Sequence, residues 1–232
     1  MRTKVILGLA AMAACAFSAT AQSNVYSLNV VGYYNITVPA NQLVMLANQL
    51  NTSDNKISSL LPSVTPGSQL YKYNGGYTAY TFDDLDLVWT PDGNATLNPG
   101  EGAFFKSPSA STLTFVGEVL QGSLTNTLPI NALAMRSSIV PQAGTATALG
   151  IPGEPGDQMY RYNNGYTAYT FDDLDMVWTP SEPSVSVGEA FFYKKSPTAT
   201  QNKWIRNFTV QRSEEPRLNS SHSRASRMPS SA

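Results

Sequence analysis

Cysteine and histidine each occur once in the 232 residues, and both fall in end segments that read as separable from the body of the chain. Cys15 lies in a leader where Arg2 and Lys4 precede an apolar run of ten residues, Val5 to Ala14. Ala19-Thr20-Ala21 then supplies the small-x-small pattern of a signal-peptidase site. Residues 1–21 are therefore expected to be a signal peptide, and the mature protein to be exported to the periplasm, outer surface or medium. The run is short of the roughly 20 apolar residues that span a bilayer, so no transmembrane span is expected in the mature chain. A lipid anchor on Cys15 is the rival reading, and Met12 three positions before it is a poor fit.

His222 lies in a tail, residues 212–232, that has no aromatic residue and is rich in serine and arginine. Arg212 to Glu215 back-translates to AGATCGGAAGAG, and Leu218 to His222 to CTGAACTCCAGTCAC. Ser226 to Ala232 back-translates to TCTCGTATGCCGTCTTCTGC. These are successive pieces of a common sequencing-library adapter, so the tail is expected to be a translated adapter artefact and not native protein.

Between the two ends, from Gln22 to Gln211, there is no thiol and no imidazole. Ser-His-Asp and Cys-His nucleophile systems are thereby excluded, with disulfides and the usual zinc sites. No glycine-rich phosphate loop is present. Charge is also scarce. Nine basic residues stand against fourteen acidic ones once the ends are set aside, a net charge of −5. An acidic chain without a basic stripe does not suit nucleic acid. What survives is carboxylate chemistry, oxygen-ligand metals such as calcium, and non-catalytic binding.

What is abundant is repetition. Gln69 to Pro91 reads QLYKYNGGYTAYTFDDLDLVWTP and Gln158 to Pro180 reads QMYRYNNGYTAYTFDDLDMVWTP, with 19 of 23 positions identical. Gly100-Glu101-Gly102-Ala103-Phe104-Phe105 matches Gly188-Glu189-Ala190-Phe191-Phe192, Lys106-Ser107-Pro108 matches Lys195-Ser196-Pro197, and Val38-Pro39-Ala40-Asn41 matches Leu128-Pro129-Ile130-Asn131. The fold expected is all-β, as two tandem copies of a small sandwich- or barrel-like unit over residues 22–118 and 119–211. The copies stand apart or fuse into one pseudo-symmetric body, with strand exchange across the join a further arrangement.

Within each copy, period-two alternation predicts strands at Leu70 to Tyr73 and Tyr77 to Phe82, and further strands are expected at Val30 to Thr37, Gln42 to Gln49, Ala103 to Lys106 and Leu113 to Glu118. Gly75-Gly76 and Asn164-Gly165 predict a two-residue hairpin turn. That turn sets Tyr73 opposite Thr78, placing Tyr71, Tyr73, Tyr80 and Phe82 on one face and Lys72, Asn74 and Tyr77 on the other. Helix is expected only as short turns at Lys56 to Leu61 and Thr145 to Leu149.

Three groups of residues are candidates for function. Asp83, Asp84 and Asp86, repeated at Asp172, Asp173 and Asp175, offer carboxylates to calcium, which takes six to eight oxygens. The competing reading is an acidic turn that caps backbone amides. No other cofactor is expected. Tyr77 and Tyr166, with Lys72 and Arg161 beside them, are the residues expected to meet a ligand, since aromatic faces suit sugar rings. The other aromatics read as sheet core. Glu101 and Glu189 are lone acids with no second carboxylate at defined spacing, so no catalytic residue is assigned.

The quoted blocks, with Asn29-Val30-Val31-Gly32-Tyr33-Tyr34 near the start, resemble a group of secreted proteins of verrucomicrobial-type bacteria. The resemblance spans essentially Gln22 to Gln211 and is most specific in Gly-Glu-Gly/Ala-Phe-Phe and Phe115-Val116-Gly117-Glu118-Val119. It implies export and a duplicated β fold and brings no activity with it. The leading expectation is a non-catalytic envelope or extracellular structural protein, whose partner is a glycan or another envelope protein. The alternatives are a carbohydrate-binding module with one site per repeat, then a carboxylate-dependent polysaccharide hydrolase.

Overall fold

The computed structural model describes residues 30–210, so the leader with Cys15 and the tail with His222 lie outside the described residues. The chain opens with β1 (Val31–Val38), β2 (Leu43–Ala47), a one-turn helix α1 (Ile57–Leu60), β3 (Gln69–Tyr73), β4 (Tyr77–Phe82) and β5 (Trp89–Thr90). It continues through β6 (Gly102–Lys106), β7 (Ser111–Glu118), β8 (Gly122–Thr127), β9 (Leu133–Arg136) and β10 (Gly144–Thr145). It closes with β11 (Gln158–Tyr162), β12 (Tyr166–Phe171), β13 (Trp178–Thr179), β14 (Ser184–Val185), β15 (Phe191–Lys194) and β16 (Lys203–Phe208). The fold is all-β. The expected turn at Lys56 to Leu61 is α1, whereas Thr145 to Leu149 makes a single i→i−4 bond, Leu149 N to Thr145 O.

Two five-stranded antiparallel sheets dominate, in the order β2-β6-β3-β4-β5 and β9-β15-β11-β12-β13. A two-stranded ribbon covers one face of each: β1 with β7, and β8 with β16. Neither ribbon exchanges a strand with the other half of the chain. Beneath β1 and β7 lies a core that includes Leu46, Leu70, Phe82, Trp89, Phe105 and Phe115. Its counterpart beneath β8 and β16 includes Leu128, Met159, Trp178, Phe191, Tyr193 and Trp204. Two of the three indoles bond backbone carbonyls, as buried polar groups tend to: Trp89 Nε1 donates to Leu61 O (3.0 Å) and Trp204 Nε1 to Leu149 O (2.9 Å).

Tyr34 ties the first ribbon to its sheet. Its ring stacks on Phe115 at 5.2 Å, and its hydroxyl donates to Ala47 O (2.7 Å) while accepting from Gln49 N (3.0 Å). Burial holds this phenol well above the usual tyrosine range, against the pull of the Gln49 amide. Tyr34→Phe strands both backbone groups, and is expected to cost about 1–3 kcal/mol in urea unfolding. An unchanged midpoint would mean that another group takes over the two bonds.

The hairpin register departs from the expectation. Tyr73 pairs with Tyr77, Lys72 with Thr78 and Tyr71 with Ala79, across a three-residue loop, Asn74 to Gly76. The second hairpin repeats this, with Tyr162 opposite Tyr166. Asn74 N and Asn163 N donate to Gly76 O and Gly165 O (both 2.9 Å), and Gly75 and Asn164 carry the positive φ. The extra loop residue slips the pairing by one, which flips one strand's side chains relative to the other. Tyr77 therefore joins Tyr71 and Tyr73, while Lys72 joins Leu70, Tyr80 and Phe82 on the face of the buried core.

The uncovered faces of the two sheets pack on each other through Met45, Ala47, Phe104, Met135, Ala190 and Phe192. Reciprocal backbone bonds join them: Ala47 N to Gly188 O and Ser137 N to Gly100 O, both 2.9 Å. Leu46 bridges Glu189 and Glu101 bridges Arg136 in the same reciprocal way. The two halves thus form one fused body.

Candidate functional site

Two twisted sheets packed face to face touch closely in one region and splay apart away from it. Here the smallest side chains sit at the touching point. Gly102 and Ala190 face each other so tightly that a Cβ on Gly102 would overlap that of Ala190. Outward from this point come Phe104 and Phe192, and beyond them the tyrosines. Tyr73 meets Phe192 edge to face (5.1 Å, 86°), and Tyr162 meets Phe104 likewise (5.1 Å, 83°), each reaching across from its own sheet to the other. Tyr77 stands against Tyr73 and Tyr166 against Tyr162, both at 5.2 Å.

Tyr77 and Tyr166 line the same two clefts, yet each remains 54% exposed. Partial burial, followed by the nearness of the Tyr166 phenol, pushes the Tyr77 phenol above the usual tyrosine range. On either side of the pair the splay opens into a cleft. One, of about 650 Å³, is lined by Asn41, Leu43, Tyr71, Tyr77, Phe104, Lys106, Tyr162 and Tyr166 among others. The other, of about 680 Å³, has Asn131, Leu133, Tyr160, Tyr166, Phe192, Lys194, Tyr73 and Tyr77 in the matching places. Tyr71 and Tyr160 are oriented by donating to Gln69 Oε1 (2.9 Å) and Gln158 Oε1 (3.0 Å). Both volumes fall in the range of small-molecule sites, about 300–1,000 Å³.

Of the ligand candidates read from sequence, the structure brings Tyr77 and Tyr166 together and sets Lys72 and Arg161 apart from them. Lys72 Nζ bonds Thr96 O and lies 3.3 Å from Glu101 Oε2. Arg161 grips Glu189 with both arms, Nε to Oε1 at 2.7 Å and Nη2 to Oε2 at 2.9 Å. Partial desolvation opposes the guanidinium's charge, but the Glu189 bonds outweigh it and raise the Arg161 pKa. Glu101 and Glu189 also accept from Asn98 N (3.0 Å) and Ser186 N (2.9 Å), so each acid is held as a turn glutamate.

The cations that do line the clefts are Lys106 and Lys194, which the sequence comparison did not pair. It set Lys106 against Lys195. The strands run without a bulge from Glu101 and Glu189, so Gln69 faces Lys106 and Gln158 faces Lys194. Lys195 instead occupies the place of Ser107, as their bridges to Ile130 and Ala40 show.

The acidic clusters lie at exposed loops. Asp83 Oδ1 accepts from Leu85 N (2.8 Å) and Asp86 N (2.9 Å), and Asp172 Oδ1 from Leu174 N (2.8 Å) and Asp175 N (3.0 Å). The amides of Asp86 and Leu85 hold the Asp83 carboxyl below its usual range, and those of Asp175 and Leu174 do the same for Asp172. Asp84, Asp86, Asp173 and Asp175 are exposed, and among the described residues no three metal-ligating side chains converge.

One polar cluster is buried. Lys195 Nζ lies 2.6 Å from Asp157 Oδ2 and 2.7 Å from Glu154 Oε2, with the Lys195 and Asp157 side chains fully enclosed. Asp157 further accepts from Tyr193 Oη (2.9 Å), Glu154 N (2.9 Å) and Ser196 N (2.8 Å). Desolvation works against the Glu154 charge, but the bonds from Lys195, Thr200 and Gln201 bring its pKa down to about 2. Every carboxylate oxygen here is occupied, which makes the cluster a structural clamp with no free group for chemistry. In the first half the matching residues are Ser68, Ser107 and Phe105, and both serine hydroxyls are buried without a partner among the described residues.

No helix among the described residues is long and apolar enough to cross a membrane. No protein-family profile, curated protein or solved structure matches the chain.

Proposed function

We propose that this is an exported, non-catalytic carbohydrate-binding protein whose ligand lies across the tyrosine pair Tyr77 and Tyr166. The observation that carries the reading is that pair. Two tyrosines from separate sheets stay half-exposed at the junction of two clefts floored by further aromatic rings. Apolar C–H faces of sugars pack on such rings while phenolic and amide tips bond ring hydroxyls. The expectation of one site per repeat gives way to a single composite trough, because each cleft draws walls from both sheets.

Export rests on the leader, and the tandem origin of the halves on the 19 identical positions of the repeat. The non-catalytic reading rests on the lack of histidine and cysteine between the ends and on the engagement of Glu101 and Glu189 with cations and backbone amides. A second reading, attachment to another envelope protein, draws on the exposed apolar residues Leu85, Leu87 and Val88 and their counterparts Leu174, Met176 and Val177.

The test is a pull-down of residues 22–211 on a panel of insoluble and immobilised polysaccharides, with released sugars measured from the same tubes. Binding without release is expected. Tyr77→Ala with Tyr166→Ala should weaken it at least tenfold while the thermal midpoint stays within a few degrees, since both side chains are half in solvent. Retention by a panel of envelope proteins, with none by any glycan, would favour the second reading.

A further inference from the structure

We infer that the trough is built for an anionic polysaccharide, with Lys106 and Lys194 as the residues that read its charge. The inference rests on the carbohydrate-binding reading above and deepens it by naming the ligand class.

Nine cations belong to the chain between its two ends, and six of them are engaged. Lys56, Lys72, Arg161 and Lys195 pair with carboxylates, and Arg136 and Arg206 donate to backbone carbonyls. The ammonium groups of Lys106, Lys194 and Lys203 make no ion pair with any described residue, and their strand pairing is through the backbone alone. Lys203 is exposed at the edge of its ribbon, away from the clefts. The other two occupy matching strand positions, opposite Gln69 and Gln158, and are half-buried, one in each cleft.

The acids are distributed in the opposite sense. The region between the ends carries fourteen, yet neither cleft is lined by any of them. A protein of net charge −5 repels polyanions at long range, so the local arrangement must supply the attraction. A half-buried lysine in a cleft lined by tyrosine rings, its ammonium without a carboxylate among the described residues, is the arrangement that does so. A lysine is a point charge and sets no demand for planar bidentate geometry. Carboxylate and sulfate ester substituents therefore meet the same requirement, and what they share is an anionic sugar ring that still offers a C–H face to Tyr77 or Tyr166. Two such cations on either side of the tyrosine pair favour a chain that carries charge on more than one residue.

The experiment measures affinity for two matched pairs: polygalacturonate against its fully methyl-esterified form, and dextran sulfate against dextran. It uses residues 22–211, Lys106→Gln, Lys194→Gln, the double variant, and Lys203→Gln as the control outside the clefts. The acidic member of at least one pair is expected to bind tenfold or more tighter at low salt, with the advantage shrinking as ionic strength rises. Which pair responds distinguishes carboxylate from sulfate. The double variant should lose that advantage and keep any neutral binding, and Lys203→Gln should change nothing. Equal binding within both pairs, or a double variant that still prefers the acidic member, overturns the inference and leaves the carbohydrate reading standing. An equal loss with Lys203→Gln also overturns it, by showing diffuse charge attraction. No binding to any of the four polymers overturns both.

Discussion

Lys195→Met is expected to destabilise the protein by about 3–5 kcal/mol, among the largest effects of any single substitution. The side chain it removes is fully buried, 2.6 Å from Asp157 and 2.7 Å from Glu154. Without it the Asp157 carboxylate stays enclosed beside Glu154 with no countercharge, and burial of an uncompensated ion is far costlier than loss of an exposed pair. Glu154 keeps its bonds from Thr200 and Gln201, so the damage should centre on Asp157. The first half of the chain indicates how the cost is relieved. There the same places hold Ser68, Ser107 and Phe105, with no ion at all. The combined change Asp157→Ser, Lys195→Ser, Tyr193→Phe should therefore cost markedly less than Lys195→Met alone, because both charges leave together. Urea unfolding of the two variants measures this. A triple variant no more stable than Lys195→Met would show that packing around the clamp, and not its charge, sets the cost.

The second large effect concerns the contact of the two sheets. Gly102→Val is expected to cost about 3 kcal/mol, at the upper end of ordinary overpacking. Its first carbon would overlap the Ala190 Cβ and come to 2.9 Å from Met135 Cγ, and neither neighbour is the free end of a long side chain. Relief requires the sheets to move apart, which breaks the reciprocal bonds from Ala47 and Ser137 and widens both clefts. Gly102→Ala with Ala190→Gly moves the methyl to the facing strand and should recover most of the stability of Gly102→Ala alone. Thermal unfolding monitored by tyrosine fluorescence reports the packing and the tyrosine environment together. Wild-type stability in Gly102→Val would mean that the sheets are not held against each other in solution.

Much of the fold is legible in the residues themselves. The alternation of Val31 to Val38 and Ser111 to Glu118 marks their strands, since period two is local and needs no partner to be read. The proline that follows Leu61 confines α1 to one turn for an equally local reason. Tyr77 and Tyr166 stand out because the repeat places a tyrosine beside a glycine-bearing hairpin twice over.

The rest was decided by tertiary structure. A two-residue and a three-residue hairpin loop are both compatible with Asn-Gly-Gly and Asn-Asn-Gly, and cross-strand packing selects between them. With the three-residue loop, Lys72 and Arg161 go to the side of the ion pairs and Tyr77 and Tyr166 to the clefts. The pairing of Lys106 with Lys194 depends on an unbroken strand register, whereas sequence comparison admits a one-residue gap that aligns Lys106 with Lys195. The sequence by itself determined an all-β fold, through its local strand and turn patterns, and its composition left no imidazole or thiol between the ends. That the two sheets meet face to face, leaving Tyr77, Tyr166, Lys106 and Lys194 around the splayed clefts, depends on the smallness of Gly102 and Ala190, whose effect exists only once the sheets are in contact.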